Sequence, residues 1–252
     1  MEITVIGSGT AAPDGERVCA AYYVEEGPMR LLFDCGAGAV HHLARFGAPW
    51  SRLTHVALTH FHLDHVGDLP MLLFALRYTL AEPRRDPLTI IGPAGTTALL
   101  DRLAEAHGPF VREPGFPLTI HELRDGDRLQ VGDALLIAHA TPHTEASLAY
   151  RLEAAGGVIG YTGDTGPSEA LGHFLRGVDL LIAECSVPDD LAMDGHLSPT
   201  RVAELALVAE PRTLVTTHVY PALDPERVPG LVREAGYAGP VLAARDGLRL
   251  AP

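Results

Sequence analysis

Apolar positions along this chain fall into short blocks, and the way each block is bounded separates strands from helices. "EITVIG" (2–7), "RLLFDCG" (30–36) and "THVALTH" (54–60) are apolar runs rich in β-forming residues, the first two closed by glycine, which is the pattern of buried strands. "GAVHHLARFG" (38–47) and "LPMLLFALRYTLA" (69–81) read as helices between and after them. Strand "LTIIGP" (88–93) and the amphipathic helix "GTTALLDRLAEAHG" (95–108) follow, then four successive strands, "LTIHEL", "ALLIAHA", "SLAYRLEA" and "GVIGYTGD". Alternation resumes with strand "DLLIAEC" (179–185), helix "SPTRVAELALVAE" (198–210), strand "TLVTTHV" (213–219), helix "DPERVPGLVREAG" (224–236) and strand "GPVLAARDG".

Both late helices open with a capping residue followed by proline, Ser198-Pro199 and Asp224-Pro225, a strong start signal. The stretch "HGPFVREPGFP" (107–117) reads as a surface loop, and no shift in composition divides the chain. Two β-rich halves, each with helices, predict a single domain over 1–252 in which two sheets lie face to face with helices outside.

Composition changes this picture little. Hydrophobic residues make up 47% and charged residues 20%, as expected of a packed globular chain. No apolar run approaches the ~18 residues a membrane-spanning helix requires, and the N-terminal "MEITVIGSGT" reads as a first strand, so the expected compartment is the cytoplasm. Cys19, Cys35 and Cys185 are three widely spaced cysteines, which read as reduced, buried thiols. Charge does alter the expectation about partners. The formal net charge is −13 and every basic residue is arginine, so a phosphate backbone is repelled on average and long nucleic acid is disfavoured.

Chemistry concentrates in "LTHFHLDHVGDLP" (58–70), where His60, His62, Asp64 and His65 fall within six positions. His60 and His62 are spaced i, i+2 at a predicted strand end, which would point both rings to one face. A turn into a helix then brings Asp64 and His65 back toward them. Imidazole and carboxylate together suit zinc, iron or manganese. Further ligands are required, and strand ends offer them: His143 after "ALLIAHATPH", with His139 on the same strand as its alternative, Asp164 closing "GVIGYTGD", and His218 closing "TLVTTH".

"THFHLDH", the later histidine, "YTGDTG" and "TTHVYP", in this order over nearly the whole chain, resemble the metal motifs of the metallo-β-lactamase superfamily. The resemblance implies an α/β fold, a four-layer αββα sandwich of two mixed sheets with outer helices, carrying two divalent metal ions, Zn2+ first with Mn2+ or Fe as alternatives. It assigns His60, His62 and His143 to one ion, Asp64, His65 and His218 to the other, and Asp164 as a bridge, with Asp64 also orienting the attacking water. "GSGTAAPDGER", "LLFDCGAG", "HVGDLPMLL" and "AECSVPDDLAMDGHLSPTRVAELA" resemble the ribonuclease Z and phosphodiesterase branch. That branch implies a carboxylate–histidine pair near the leaving group, here Glu184 and His196, and in some members a homodimer. A carboxylate beside an imidazole orients the ring and raises its pKa, so His196 would carry a proton to a departing alkoxide. Ser198 and Thr200 lie at a helix start whose amides favour an anion and are the expected substrate contacts.

Other residues are read as structural. His41, His42, His107 and His173 are expected at the surface, His55 and His121 on strands, and Asp34 as a turn residue supporting the site. Gly7 and Gly9 could form a dinucleotide loop, but Pro13 and the lack of a following helix weaken that.

Ribonuclease Z, as the resemblance would have it, carries an arm that grips transfer RNA, whereas only twenty residues separate His143 from Asp164 and two strands consume them. The expectation is therefore a hydrolase of a small phosphodiester or nucleotide. Three alternatives stand beside it: a lactone, thioester or β-lactam hydrolase, a tRNA-processing ribonuclease without the usual arm, and a non-catalytic metal-sensing module.

Overall fold

The computed structural model describes residues 1–252. Its first half contains strands β1 (Glu2–Gly7), β2 (Ala21–Glu26), β3 (Met29–Phe33), β4 (His55–Ala57), β5 (Leu88–Pro93) and β6 (Leu118–Leu123), with helices α1 (Ala39–Arg45), α2 (Leu63–Val66), α3 (Leu69–Tyr78) and α4 (Thr96–His107). The second half has strands β7 (Arg128–Val131), β8 (Ala134–Ala140), β9 (Leu148–Ala154), β10 (Gly157–Tyr161), β11 (Leu180–Glu184), β12 (Thr213–Thr217), β13 (Val241–Ala243) and β14 (Arg249–Leu250). Helices α5 (Glu169–Phe174), α6 (Pro199–Ala209) and α7 (Val228–Glu234) lie among them.

The strands form two seven-stranded sheets, β14-β1-β2-β3-β4-β5-β6 and β13-β12-β11-β10-β9-β8-β7. Each is mixed. β3 to β6 run parallel and β10 to β13 run parallel, while β1 to β3 and β7 to β10 are antiparallel.

Three apolar layers separate four structural ones. Ile3, Val5, Tyr22, Leu31 and Phe33 meet Leu136, Tyr150, Leu152, Ile159, Tyr161 and Ile182 between the sheets. The opposite face of the first sheet, with Leu32, Val56 and Ile90, lies under Leu43, Leu69, Leu72 and Leu100 of its helices. Leu181, Ala183 and Leu214 pack likewise under Leu171, Val202, Ala206 and Val232. Strands buried on both faces need continuous apolar runs rather than alternation, which is why "RLLF" and "LLIA" stood out in the sequence. The expected αββα sandwich of two mixed sheets with outer helices is the observed fold, and no helix is long and apolar enough to cross a membrane.

The differences from the sequence reading have local causes. The strand expected over 54–60 stops at Ala57, because the Thr59 amide donates to the Asp34 carboxylate at 2.7 Å instead of to a neighbouring strand. The helix expected from 224 begins as a tight turn, Pro225–Arg227, and becomes α-helical only at Val228, since Pro229 has no amide to bond back to residue 225. β2, β7, β14 and α5 were not anticipated.

Candidate metal centre

Every candidate ligand sits in a loop or first helical turn just beyond a strand's carboxyl end. His60 and His62 follow β4, His143 follows β8, Asp164 follows β10 and His218 follows β12. His62 caps α2, and Asp64 and His65 lie inside it. The strand itself does not align His60 and His62, as the i, i+2 spacing had suggested; the loop does, bringing His60 Nε2 to 3.0 Å from His62 Nδ1.

Two groups of donors result. His143 Nε2 lies 3.1 Å from His62 Nδ1, and Asp164 Oδ2 lies 3.8 and 3.7 Å from the Nε2 atoms of His60 and His143. In the second group, His218 Nε2 is 3.2 Å from Asp64 Oδ2, and His65 Nε2 is 3.3 Å from Asp164 Oδ1. Asp164 therefore offers one oxygen to each group. The donor atoms of His60, His62, His143 and Asp164 all lie within 4.8 Å of one another, as do those of Asp64, His65 and His218, and a third set, Asp164, His196 and His218, overlaps both. His139 is outside both, paired with Asp125 at 2.7 Å and stacked on Phe174.

These residues fit divalent cations. His65 Nε2 and Asp164 Oδ1 are buried with no hydrogen-bond partner, an expensive state unless something positive completes it. The outward ring nitrogens of four of the five histidines are occupied. His60 Nδ1 meets Thr59 Oγ1 at 3.1 Å, His65 Nδ1 meets Asp34 Oδ2 at 2.7 Å, His143 Nδ1 meets the Gly195 carbonyl at 2.8 Å, and His218 Nδ1 meets Ser186 Oγ at 3.0 Å. Such partners place the proton on Nδ1 and leave the Nε2 lone pair facing inward.

Protonation agrees with that demand. Burial, with the neighbouring His65, lowers His60 to about 2, so it is a neutral donor. Burial also lowers His62, helped by His143. Burial works against ionised Asp64, yet the His218 hydrogen bond and the charges of His65 and His218 hold it at about 2. Asp164 is likewise held well below the usual carboxylate range, where His218 and His65 overcome burial. Burial opposes charge on His65, but Asp164 and Asp34 outweigh it and raise its pKa well above ordinary. The pocket draws positive charge, as a proton or as a metal ion.

Beside the ligands stands the pair expected from the sequence. Glu184 is almost wholly buried, and its Oε1 accepts from His196 Nδ1 at 2.9 Å and from the Thr165 amide at 2.7 Å. The His196 ring lies 4.9 Å from that of His143 and 6.1 Å from that of His218, centroid to centroid. Burial opposes its protonation, but the Glu184 hydrogen bond and charge prevail, with Asp164 and Asp64 adding, so its pKa is raised.

The helix start at Ser198 and Thr200 is already capped. Asp189 Oδ1 accepts from the Thr200 amide at 3.1 Å and Oδ2 from the Thr200 hydroxyl at 2.9 Å. A phosphate oxygen could therefore reach the Thr200 donors only by displacing Asp189. The glycine-rich start has a steric explanation: a Cβ on Gly7 would fall 1.9 Å from the Cys19 carbonyl.

Sequence reasoning missed Thr59, Ser186 and the Gly195 carbonyl. Asp34 does more than turn the chain. It accepts from His65, from the Thr59 amide and hydroxyl, and from the Tyr161 hydroxyl at 2.7 Å.

Residues 29–219 match the family model described as "Beta-lactamase superfamily domain". The chain is 28% identical to a ribonuclease Z of Haloferax volcanii over 307 positions, covering 99% of this chain and 94% of that protein. Among solved structures, the metallo-β-lactamase fold protein YhfI from Bacillus subtilis superposes with a TM-score of 0.88 at 22% identity, covering 100% of this chain and 99% of that one. Human tRNase Z, short form, gives 0.81 at 24% identity with the same coverage. The expectation against long nucleic acid gains no support from relatives with these names.

Proposed function

The chain belongs to the β-lactamase superfamily, in its ribonuclease Z and phosphodiesterase-like branch, and on that premise we propose a metal-dependent phosphodiesterase acting on a small phosphodiester or nucleotide. His60, His62 and His143 would hold one divalent cation, Asp64, His65 and His218 a second, and Asp164 both. Two such ions supply a nucleophile from water at neutral pH and polarise a phosphoryl oxygen.

The chain's own residues do the rest. Asp64, held ionised against burial by His218 and His65, would orient the attacking water. His196 holds a proton against burial because Glu184 fixes Nδ1–H, which leaves Nε2–H to protonate the departing oxygen. One observation carries the choice of phosphodiester chemistry: an imidazole held by a buried carboxylate stands ring to ring with two candidate ligands. Opening a strained ring has no need of a donor for an alkoxide leaving group.

Cleavage of RNA is the second reading, favoured by the relatives named ribonuclease Z. Against it, the alignment to the Haloferax volcanii protein spans 307 positions, more than the 252 residues present here, so that relative carries segments this chain lacks. The test is zinc- or manganese-loaded protein against bis(p-nitrophenyl) phosphate, small cyclic and linear phosphodiesters, lactones and a precursor tRNA. Turnover of small phosphodiesters, abolished by chelation, is expected. Metal-dependent lactone opening with no phosphodiester turnover, or cleavage of the tRNA alone, would overturn the proposal.

A further inference from the structure

Glu184 and His218 end neighbouring parallel strands, and one side chain lies between them. Ser186 is fully buried. Its hydroxyl is 2.5 Å from Glu184 Oε2, 3.0 Å from His218 Nδ1 and 2.9 Å from the His218 carbonyl. We propose that Ser186 is a positioning residue that ties His218 to the Glu184–His196 pair, so that retention of the ion held by His218 and placement of the proton donor depend on one hydroxyl. The inference rests on the two-ion reading above and concerns how this chain builds it.

A serine has one proton to give and can accept from others. The carboxylate, charged and nearest, takes that proton in preference to the neutral His218 carbonyl. His218 Nδ1 must then be the donor to Ser186 Oγ, which fixes the tautomer that turns Nε2 toward Asp64. On the other side, Glu184 Oε2 accepts only from Ser186 and, at 3.2 Å, from the Leu197 amide, while Oε1 holds the His196 ring. Without the hydroxyl, the carboxylate loses its closest donor and is held only by the Thr165 and Leu197 amides, so the placement of Oε1, and of His196 on it, loosens.

The same construction occurs on the other sheet. The Thr59 hydroxyl donates to Asp34 and accepts from His60 Nδ1, so each half of the molecule joins a candidate ligand to a buried carboxylate through a hydroxyl.

Ser186→Ala, Ser186→Thr and Ser186→Val are compared with wild type after zinc loading, reading zinc bound per chain, its rate of release to a chromophoric chelator, and kcat and KM for a phosphodiester. In the alanine and valine variants one of two ions should leave faster by about 10- to 100-fold, in line with the effect of losing a ligand's hydrogen-bond partner. Their kcat should fall with KM near wild type, and threonine should restore both. Equal release from wild type and alanine variant overturns the relay. Should the alanine variant not fold, threonine and valine match in shape and differ in the hydroxyl, so equal release from those two overturns it as well. A wild-type protein that binds no zinc overturns the centre itself and the relay with it.

Discussion

Asp34 and Glu184 are counterparts on the two sheets. Each is a buried carboxylate at a strand's end, beside a parallel strand that leads to a candidate ligand, His60 for one and His218 for the other. Each accepts from a backbone amide, a hydroxyl and an imidazole. The difference lies in that imidazole. Asp34 holds His65, whose Nε2 is sealed in the pocket facing Asp164, whereas Glu184 holds His196, which is partly exposed and shares only Asp164 and His218 with the candidate ligands. On the proposed reading one arrangement would serve two ends: with an enclosed ring it would anchor a cation, and with a more accessible ring it would present a proton.

The sharpest way to break this parallel is at the enclosed carboxylate. Asp34→Ala leaves His65 Nδ1 and the Tyr161 and Thr59 hydroxyls without their acceptor, so denaturant unfolding should show a loss of about 3–5 kcal/mol, the range for removing one partner of a buried charged pair. Zinc binding should go with it. At the accessible carboxylate's partner the outcome differs: His196→Ala should keep its zinc by elemental analysis while kcat on an alkyl phosphodiester falls about 10²- to 10⁴-fold. A nitrophenyl ester, whose leaving group needs little protonation, should be affected far less.

The pH profile sharpens the comparison. Because the pKa of His196 is raised, its acid form is present below that pKa and is lost as pH rises through it. The kcat profile should therefore show an alkaline limb in wild type that is missing in His196→Ala. Thr59→Val, the mirror of the Ser186 variants, should speed zinc release from the His60 group by about 10- to 100-fold and leave the alkaline limb in place. Smallest of all, His139→Ala removes a partly exposed pair with Asp125 and a stacking contact with Phe174 and should shift stability by about 1 kcal/mol or less, with zinc content unchanged.

What could be seen in advance divides along physical lines. Strands buried on both faces announce themselves as apolar runs, and the candidate ligands that cluster at their carboxyl ends are legible from residue type and order. The two-residue strand β14 and the polar-edged β7 carry too little pattern to detect. Hydroxyl relays were invisible for another reason. Serine and threonine are common, and the bond between Ser186 and His218 spans 32 residues, a proximity created only when β11 and β12 pair. Capping of α6 by Asp189, eleven residues before Thr200, depended in the same way on a loop path that no spacing reveals.

Asp34 and His218 have φ values of 55° and 56°, two of only three non-glycine residues in the left-handed region. Such a conformation costs on the order of 1–3 kcal/mol for a residue with a side chain, and glycine or asparagine would adopt it more readily. At these two points, what is best for the backbone and what is best for the reaction are different amino acids. A lineage freed from the need to hydrolyse anything would be expected to drift there first, toward glycine or asparagine, and to keep its architecture long after its chemistry had gone.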